Sequence, residues 1–307
     1  MFRREIKSGL LIGAIAIKKF RQRIIFNELK KQFSRNFDRA RNDDLDKYII
    51  DEWRENVKLI EKDLLKNLRF DFLRHSVITK TMFVGNKPWT SKELKYIENN
   101  LSAKDMADLA AEDYIGKPII INWKYLTSSN TIHHLYHLVR FINRTQCDLN
   151  KINTIIEWCG GYGNFAKIFW RFRKANCTYV IIDLPVFSCL QWIYLGSIFG
   201  KEKIHFIGSP IGEIIDGKIN ILPLSFLEKF KLNCDLFIST WAISESSIFA
   251  QDYVVNQGWF NSPHLLLAYQ NNSEKFPTAG RIENLTDKKN IFIEDISFLP
   301  GNKYIFR

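Results

Sequence analysis

Three of the six histidines in this 307-residue chain fall within five positions, as His133, His134 and His137 in "NTIHHLYHLVRF". A neutral imidazole can take a proton from a hydroxyl near neutral pH. His133 and His137, four residues apart, share one helix face, and His134 neighbours His137 three residues on. The plainer reading is a helix whose histidines are ordinary hydrogen bonders. The H-x-x-x-H spacing admits a metal ion, but no H-E-x-x-H pattern or cysteine set stands nearby, so no metal is expected. Downstream, "TIIEWCGGYGNFAKIFW" places Glu157 three residues before Gly160, with Gly161 and Gly163 following. Gly161 to Ala166 fits G-x-G-x-x-G/A, and Asp183 stands twenty residues beyond Gly163. Glycines there leave bare backbone for a ligand, and a carboxylate that far on can accept hydrogen bonds from ribose hydroxyls. The unit therefore reads as an adenosine-cofactor site. Glu157 would repel a pyrophosphate but can organise a loop that receives an ammonium group, which favours a methyl donor over a dinucleotide. Glu245, in "TWAISES", is a further candidate, either a substrate-side acid or a helix cap.

Elements of two kinds must position these groups. From residue 152 onward, short β-branched runs ("INTIIEW", "TYVIIDLP", "KIHFIG", "INILPL", "CDLFIST", "HLLLAYQ") alternate with helical patterns. Such alternation predicts a parallel sheet with helices on both faces. The Pro-Gly-Asn turn at 300–302 predicts an antiparallel hairpin between the last two strands. Residues 1–126 read as a mostly helical region with a basic arm, and 127–307 as the α/β domain. In the first region, Ile49, Trp53, Leu59 and Leu64 recur at helical spacing. Thr90 with Glu93 and Ser102 with Asp105 match the capping box. The segment "GKP" at 116–118 is read as ending the second of these helices, and the histidine helix as capped near Ser129 or Asn130.

Charge is uneven. Residues 1–42 hold twelve Lys/Arg against three Asp/Glu, a net +9 of the chain's +11. The apolar run Ser8 to Ile17 inside this arm is followed by Lys18, Lys19, Arg21 and Arg23 where a cleavage site would need small residues. It is also about half the roughly 20 residues that span a bilayer. Neither secretion nor spanning is expected. Five cysteines without a C-x-x-C pair point to a reducing, cytoplasmic setting.

The segments "IIEWCGGYGNFAKIF", "YVIIDLPVFSCLQWIYL", "CDLFISTWAISES" and "NTIHHLYHLVRF" together resemble a family of sugar O-methyltransferases. The resemblance covers roughly the second half of the chain and the helix before it. It implies a Rossmann-like class I methyltransferase sheet beside the helical N-terminal region. It further implies S-adenosylmethionine as cofactor and a sugar hydroxyl of a glycan or glycan precursor as acceptor. By position, Glu157 and the backbone of Cys159, Gly160, Gly161 and Gly163 would meet the methionine end. Asp183 would hold the ribose, Leu184 would flank the adenine, and Ser239 would line the cleft beside the sulfonium. Cys159 departs from the family pattern, standing where the first glycine of the loop is usual. His133, His137 and Glu245 are the candidate catalytic groups. The alternatives are an RNA methyltransferase, prompted by the basic arm, and an NAD(P)-dependent oxidoreductase, permitted by the glycine pattern. No nucleic-acid module is evident, and nucleic acid is not the favoured partner. Peripheral contact of the arm with an anionic inner-membrane surface, or packing on its own domain or on a second copy in an oligomer, are both expectations of its composition.

Overall fold

The computed structural model describes the backbone of residues 2–41, 43–82, 87–174, 176–287 and 289–307, and side chains outside 1–15 and 42–44. In chain order the helices are α1 (Phe2–Lys30), α2 (Phe33–Ala40), α3 (Asp51–Asn67), α4 (Ser76–Thr81), α5 (Thr90–Asn100), α6 (Ala103–Ala110) and α7 (Ser129–Thr145). The alternating part then begins: β1 (Thr154–Trp158), α8 (Asn164–Phe172), β2 (Thr178–Asp183), α9 (Pro185–Phe199), β3 (Ile204–Phe206) and β4 (Ile219–Pro223). It closes with β5 (Leu236–Thr240), α10 (Ile248–Asn256), β6 (His264–Gln270), β7 (Phe292–Asp295) and β8 (Asn302–Phe306).

The described strands form one eight-stranded sheet in the order β3-β4-β2-β1-β5-β6-β8-β7. All pairings are parallel except those of β8, which lies antiparallel to both β6 and β7. The expected terminal hairpin is therefore present. Every residue of β2 is buried, because helices cover both faces of the sheet. The order runs outward from β1 in one direction and from β5 in the other. This is the doubly wound, Rossmann-like arrangement, and its switch point lies between β1 and β5.

Helix α9 is apolar on all sides and has Pro185 at its start, where a missing N–H costs nothing. It can be so because one face meets the sheet and the outer face is covered by α1, α2 and α3. Phe26, Leu29, Phe33 and Phe37 supply that cover and are buried. The segment between α6 and α7 is tied to α8 by two ion pairs. Lys167 and Glu112 meet at 2.8 Å, both fully buried, and Arg171 reaches Asp113 at 2.6 Å.

Several local expectations are corrected. In α5, Thr90 is the first helical residue and caps nothing, while Glu93 turns inward toward α7 instead of closing a capping box. The Ser102 cap does form, accepting from the Asp105 N–H at 3.1 Å. α7 is capped by Ser128, one residue earlier than expected. α6 ends at Ala110, before "GKP", because the chain must turn at 111–113 to reach α8. In α3 the buried stripe is Val57, Ile60 and Leu64, and Leu59 faces solvent.

Candidate active site

The strands on either side of the switch point end in unusual backbone. Cys159, just past β1, has φ +53°, and Trp241, just past β5, has φ +65°. Left-handed conformation at non-glycine residues costs on the order of 1–2 kcal/mol each. Both residues are held there: the Cys159 N–H donates to the Ile182 carbonyl at 2.7 Å, and the Trp241 N–H to the Ala268 carbonyl at 2.6 Å.

The three glycines after β1 serve three purposes. A Cβ on Gly160 would lie 2.8 Å from the Glu157 carboxyl carbon, so the turn can close over that acid only without a side chain. Gly161 has φ +61°, a conformation glycine adopts freely, and a Cβ there would meet Met82 Sδ at 3.3 Å. Gly163 caps α8 and lets Leu195 of α9 approach to 3.1 Å of where a Cβ would be. Asp183 braces the turn. Its Oδ2 accepts from the Gly161 N–H at 3.0 Å and from Gln191 Nε2 at 2.7 Å, and its Oδ1 accepts from the Leu184 N–H at 2.8 Å. Gln191 also donates to the Gly161 carbonyl at 2.8 Å.

A cavity of about 410 Å³ opens above this turn, at the carboxyl ends of β1 and β5, within the size range usual for small-molecule sites. Of the residues singled out in the sequence for chemistry, Cys159, Gly160, Gly161, Asp183, Leu184, His133, His134 and Glu245 line it. Glu157 lies beneath the turn, where Tyr179 Oη donates to its Oε2 at 2.9 Å. Gly163 sits behind, in the α8–α9 contact. Ser239 is buried and accepts from the Ile243 N–H at 3.0 Å, while its successors Thr240, Trp241 and Ala242 form the wall. His137 also turns away: its Nδ1 lies 2.5 Å from Tyr304 Oη, in the core between α7 and β8.

The N-terminal region supplies the opposite wall through Tyr48, Trp53, Met82 and Trp89. Trp53 Nε1 donates to Glu245 Oε2 at 3.1 Å, and Gln270 Nε2 donates to Glu245 Oε1 at 2.9 Å. His133 stacks on Trp241 with centroids 5.1 Å apart, and its Nδ1 lies 2.5 Å from Glu93 Oε1. Its Nε2 has no partner among the described residues. Asn164 Nδ2 donates to His134 Nδ1 at 3.1 Å, and burial pushes the His134 imidazole down to about 3, so it is neutral.

Among the described residues no Lys or Arg forms an ion pair with the acids of this site, although the charge of the exposed Lys275 acts on Glu245 from a distance. Burial raises the Asp183 and Glu245 carboxyls to about 7 and that of Glu157 to about 8. Among the described residues, the one Lys or Arg bordering the cavity is Lys87, an exposed side chain above the Trp89 ring.

Glu93 was hidden by its neighbours, since an acid three residues after a threonine reads as a cap. A usable signal was present nonetheless: Thr90, Glu93 and Ile97 share one helix face, and an acid on a buried stripe needs a partner. Trp53 carried no signal beyond helical spacing, and Met82 none.

No family model matches the sequence, and no curated protein does. Solved structures with a similar fold include a StiE O-MT segment (12% identity, TM-score 0.36, 52% of each chain covered). The pyocyanin biosynthetic protein PhzM is similar at 11% identity and TM-score 0.37, over 58% of this chain and 56% of that one. The chain thus spans about half the length of that segment and of PhzM. The SAH-bound Podospora anserina methyltransferase PaMTH1 is similar at 10% identity and TM-score 0.37, over 84% of this chain and 95% of that one. At such scores the strand order, and not the likeness, carries the fold.

Proposed function

We propose that this protein is an S-adenosylmethionine-dependent O-methyltransferase acting on a sugar hydroxyl of a glycan or glycan precursor. One observation carries the cofactor assignment: Asp183 and Glu245, buried carboxylates that form no ion pair among the described residues, face a glycine-turn cavity at the switch point, and the distant Lys275 leaves Glu245 still raised. An uncompensated acid in a low-dielectric site favours a cationic ligand and opposes an anionic one. A ligand bearing a sulfonium and an ammonium group satisfies these acids. A pyrophosphate beside Asp183 and Glu245 does not, which weighs against a dinucleotide, and a polyanionic RNA meets the same repulsion.

When bound, S-adenosylmethionine supplies an activated methyl group whose leaving group is a neutral thioether. The protein then has to position the acceptor and remove one proton. With Nδ1–H of His133 donating to Glu93, the lone pair sits on Nε2, which takes the hydroxyl proton as the acceptor oxygen forms its bond to carbon. Glu93 fixes the tautomer and the ring plane, and Trp241 packs against the ring's face. Both Glu245 oxygens already accept a hydrogen bond, so we assign it charge complementarity and not proton removal. The sugar assignment is supported by the sequence resemblance and by the flat aromatic walls of Trp53, Trp89 and Trp241, which suit the C–H faces of a pyranose.

Calorimetry with S-adenosylhomocysteine, S-adenosylmethionine, NAD and NADP tests the cofactor. The two adenosyl ligands are expected to bind and the dinucleotides not, and Gly161→Val is expected to abolish binding in a folded protein. Stabilisation by NAD or NADP alone would falsify the assignment. Failure of free and lipid-linked sugars to release S-adenosylhomocysteine from a cofactor-binding enzyme would remove the sugar while leaving the cofactor.

A further inference from the structure

We propose that α1 is a docking surface for an anionic lipid bilayer, with the helix lying in the plane of the membrane surface. The inference is independent of how the cavity is read. The rotation of α1 is fixed by one face. Gln22 Nε2 donates to Asp113 Oδ1 at 2.8 Å, and its Oε1 accepts the backbone N–H groups of Tyr114 and Ile115. Lys18 reaches Asp113 at 2.9 Å, and Phe26 and Leu29 are buried below it.

The opposite face is apolar and uncovered. Ile17, Phe20 and Ile24, at i, i+3 and i+7, are 70%, 68% and 52% exposed. Apolar side chains in such a row belong against something that is not water. Exposed Lys19, Arg21 and Arg23 lie beside the row, and from Ile6 to Asn27 the sequence holds five Lys/Arg and no acid. An apolar stripe flanked by cations is the pattern of a helix that inserts shallowly among anionic headgroups. Among the described residues no helix is long and apolar enough to cross a membrane, so the contact is one of lying on the surface.

Charge decides the occupant. A second copy docked on this face would bring two segments of net +9 together, whereas an anionic surface neutralises them. A nucleic acid would satisfy the cations and leave Ile17, Phe20 and Ile24 against phosphates.

The test is flotation of the full chain with phosphatidylcholine vesicles, with and without phosphatidylglycerol. The chain is expected to float with the anionic vesicles only, and salt is expected to weaken the binding. The triple variant Ile17→Ser, Phe20→Ser, Ile24→Ser and the double variant Lys19→Ala, Arg21→Ala are each expected to lose on the order of tenfold in affinity. Both sets of side chains are exposed, so melting temperatures should match the parent's and a folding defect cannot mimic the result. Flotation of the triple variant equal to the parent's overturns the proposal. So does a parent that ignores anionic vesicles, including one that forms a concentration-dependent dimer which the triple variant dissolves.

Discussion

Three carboxyls define the electrostatics of the site, and all three are displaced in the same direction by burial. Asp183 and Glu245 are raised to about 7 and Glu157 to about 8. A raised folded-state value means that each group binds its proton more tightly folded than unfolded. Its contribution to stability is therefore whole below the ordinary carboxylate range and is lost as pH rises through about 7 to 8. A cationic ligand prefers the ionised acids, so its affinity moves the other way. The ligand-free protein is expected to melt at falling temperature from about pH 5 to about pH 8, while S-adenosylmethionine binds on the order of tenfold more tightly over the same window. Melting curves with and without the cofactor across that range decide it. An affinity independent of pH would show that these acids do not face the bound cation.

At the scale of elements, α7 divides its histidines between two tasks. His133 and His134 border the cavity, while His137, one turn on from His133, contacts Tyr304 and is pushed well below its ordinary value by burial. The shared face read from the spacing is real, since the His133 and His137 rings lie 4.2 Å apart. Of that pair only His133 reaches the ligand space. His133→Ala is expected to reduce turnover by about 10²–10⁴-fold with cofactor binding retained, as for loss of a general base. His137→Ala is expected to cost about 2–4 kcal/mol of stability through the cavity it leaves in the core, with turnover per folded molecule near the parent's. Single-turnover rates and chemical denaturation of both variants separate the two outcomes. Comparable turnover losses, with both proteins fully stable, would refute the division.

For the whole molecule, the N-terminal helices are structural members of the body that carries the sheet. Trp53 anchors Glu245 from 192 residues away, Tyr48 Oη donates to Glu228 at 2.7 Å, and Ser225 Oγ donates to the Ala40 carbonyl at 2.5 Å. The part of the basic arm from residue 16 on packs on its own domain through α9, as one of its sequence expectations had it. Its earlier side chains, including Arg3, Arg4 and Lys7, lie outside the described residues. Removing residues 1–42 would strip Phe26, Leu29, Phe33 and Phe37 from α9. At roughly 1.5–3 kcal/mol for each buried side chain the loss approaches the entire stability of a typical domain. A chain starting at residue 43 is thus expected to be insoluble or to melt without cooperativity, and to lose cofactor binding. Circular dichroism and calorimetry check this; a cooperative melt within a few degrees of the parent's would contradict the packing described for α9.

The sequence by itself determined the local unit that makes the site recognisable. A buried strand, a glycine turn, a helix, a second strand and a terminal acid are consecutive in the chain, so their meaning survives without knowledge of the fold. The same holds for the strand–helix alternation and the closing hairpin, whose signals are periodicity and turn chemistry. What only the tertiary structure decided are the pairings between distant elements. Glu93 meets His133 across 40 residues, Lys167 meets Glu112 across 55, and Asp183 spends its oxygens on the glycine turn as well as facing the cavity. A one-dimensional pattern reports which face of an element is apolar, but not which partner will lie against it. For Glu93 that gap reversed the reading, because a carboxylate at a helix start is equally suited to capping its own backbone or to serving a buried histidine. The neighbouring helix chose between them.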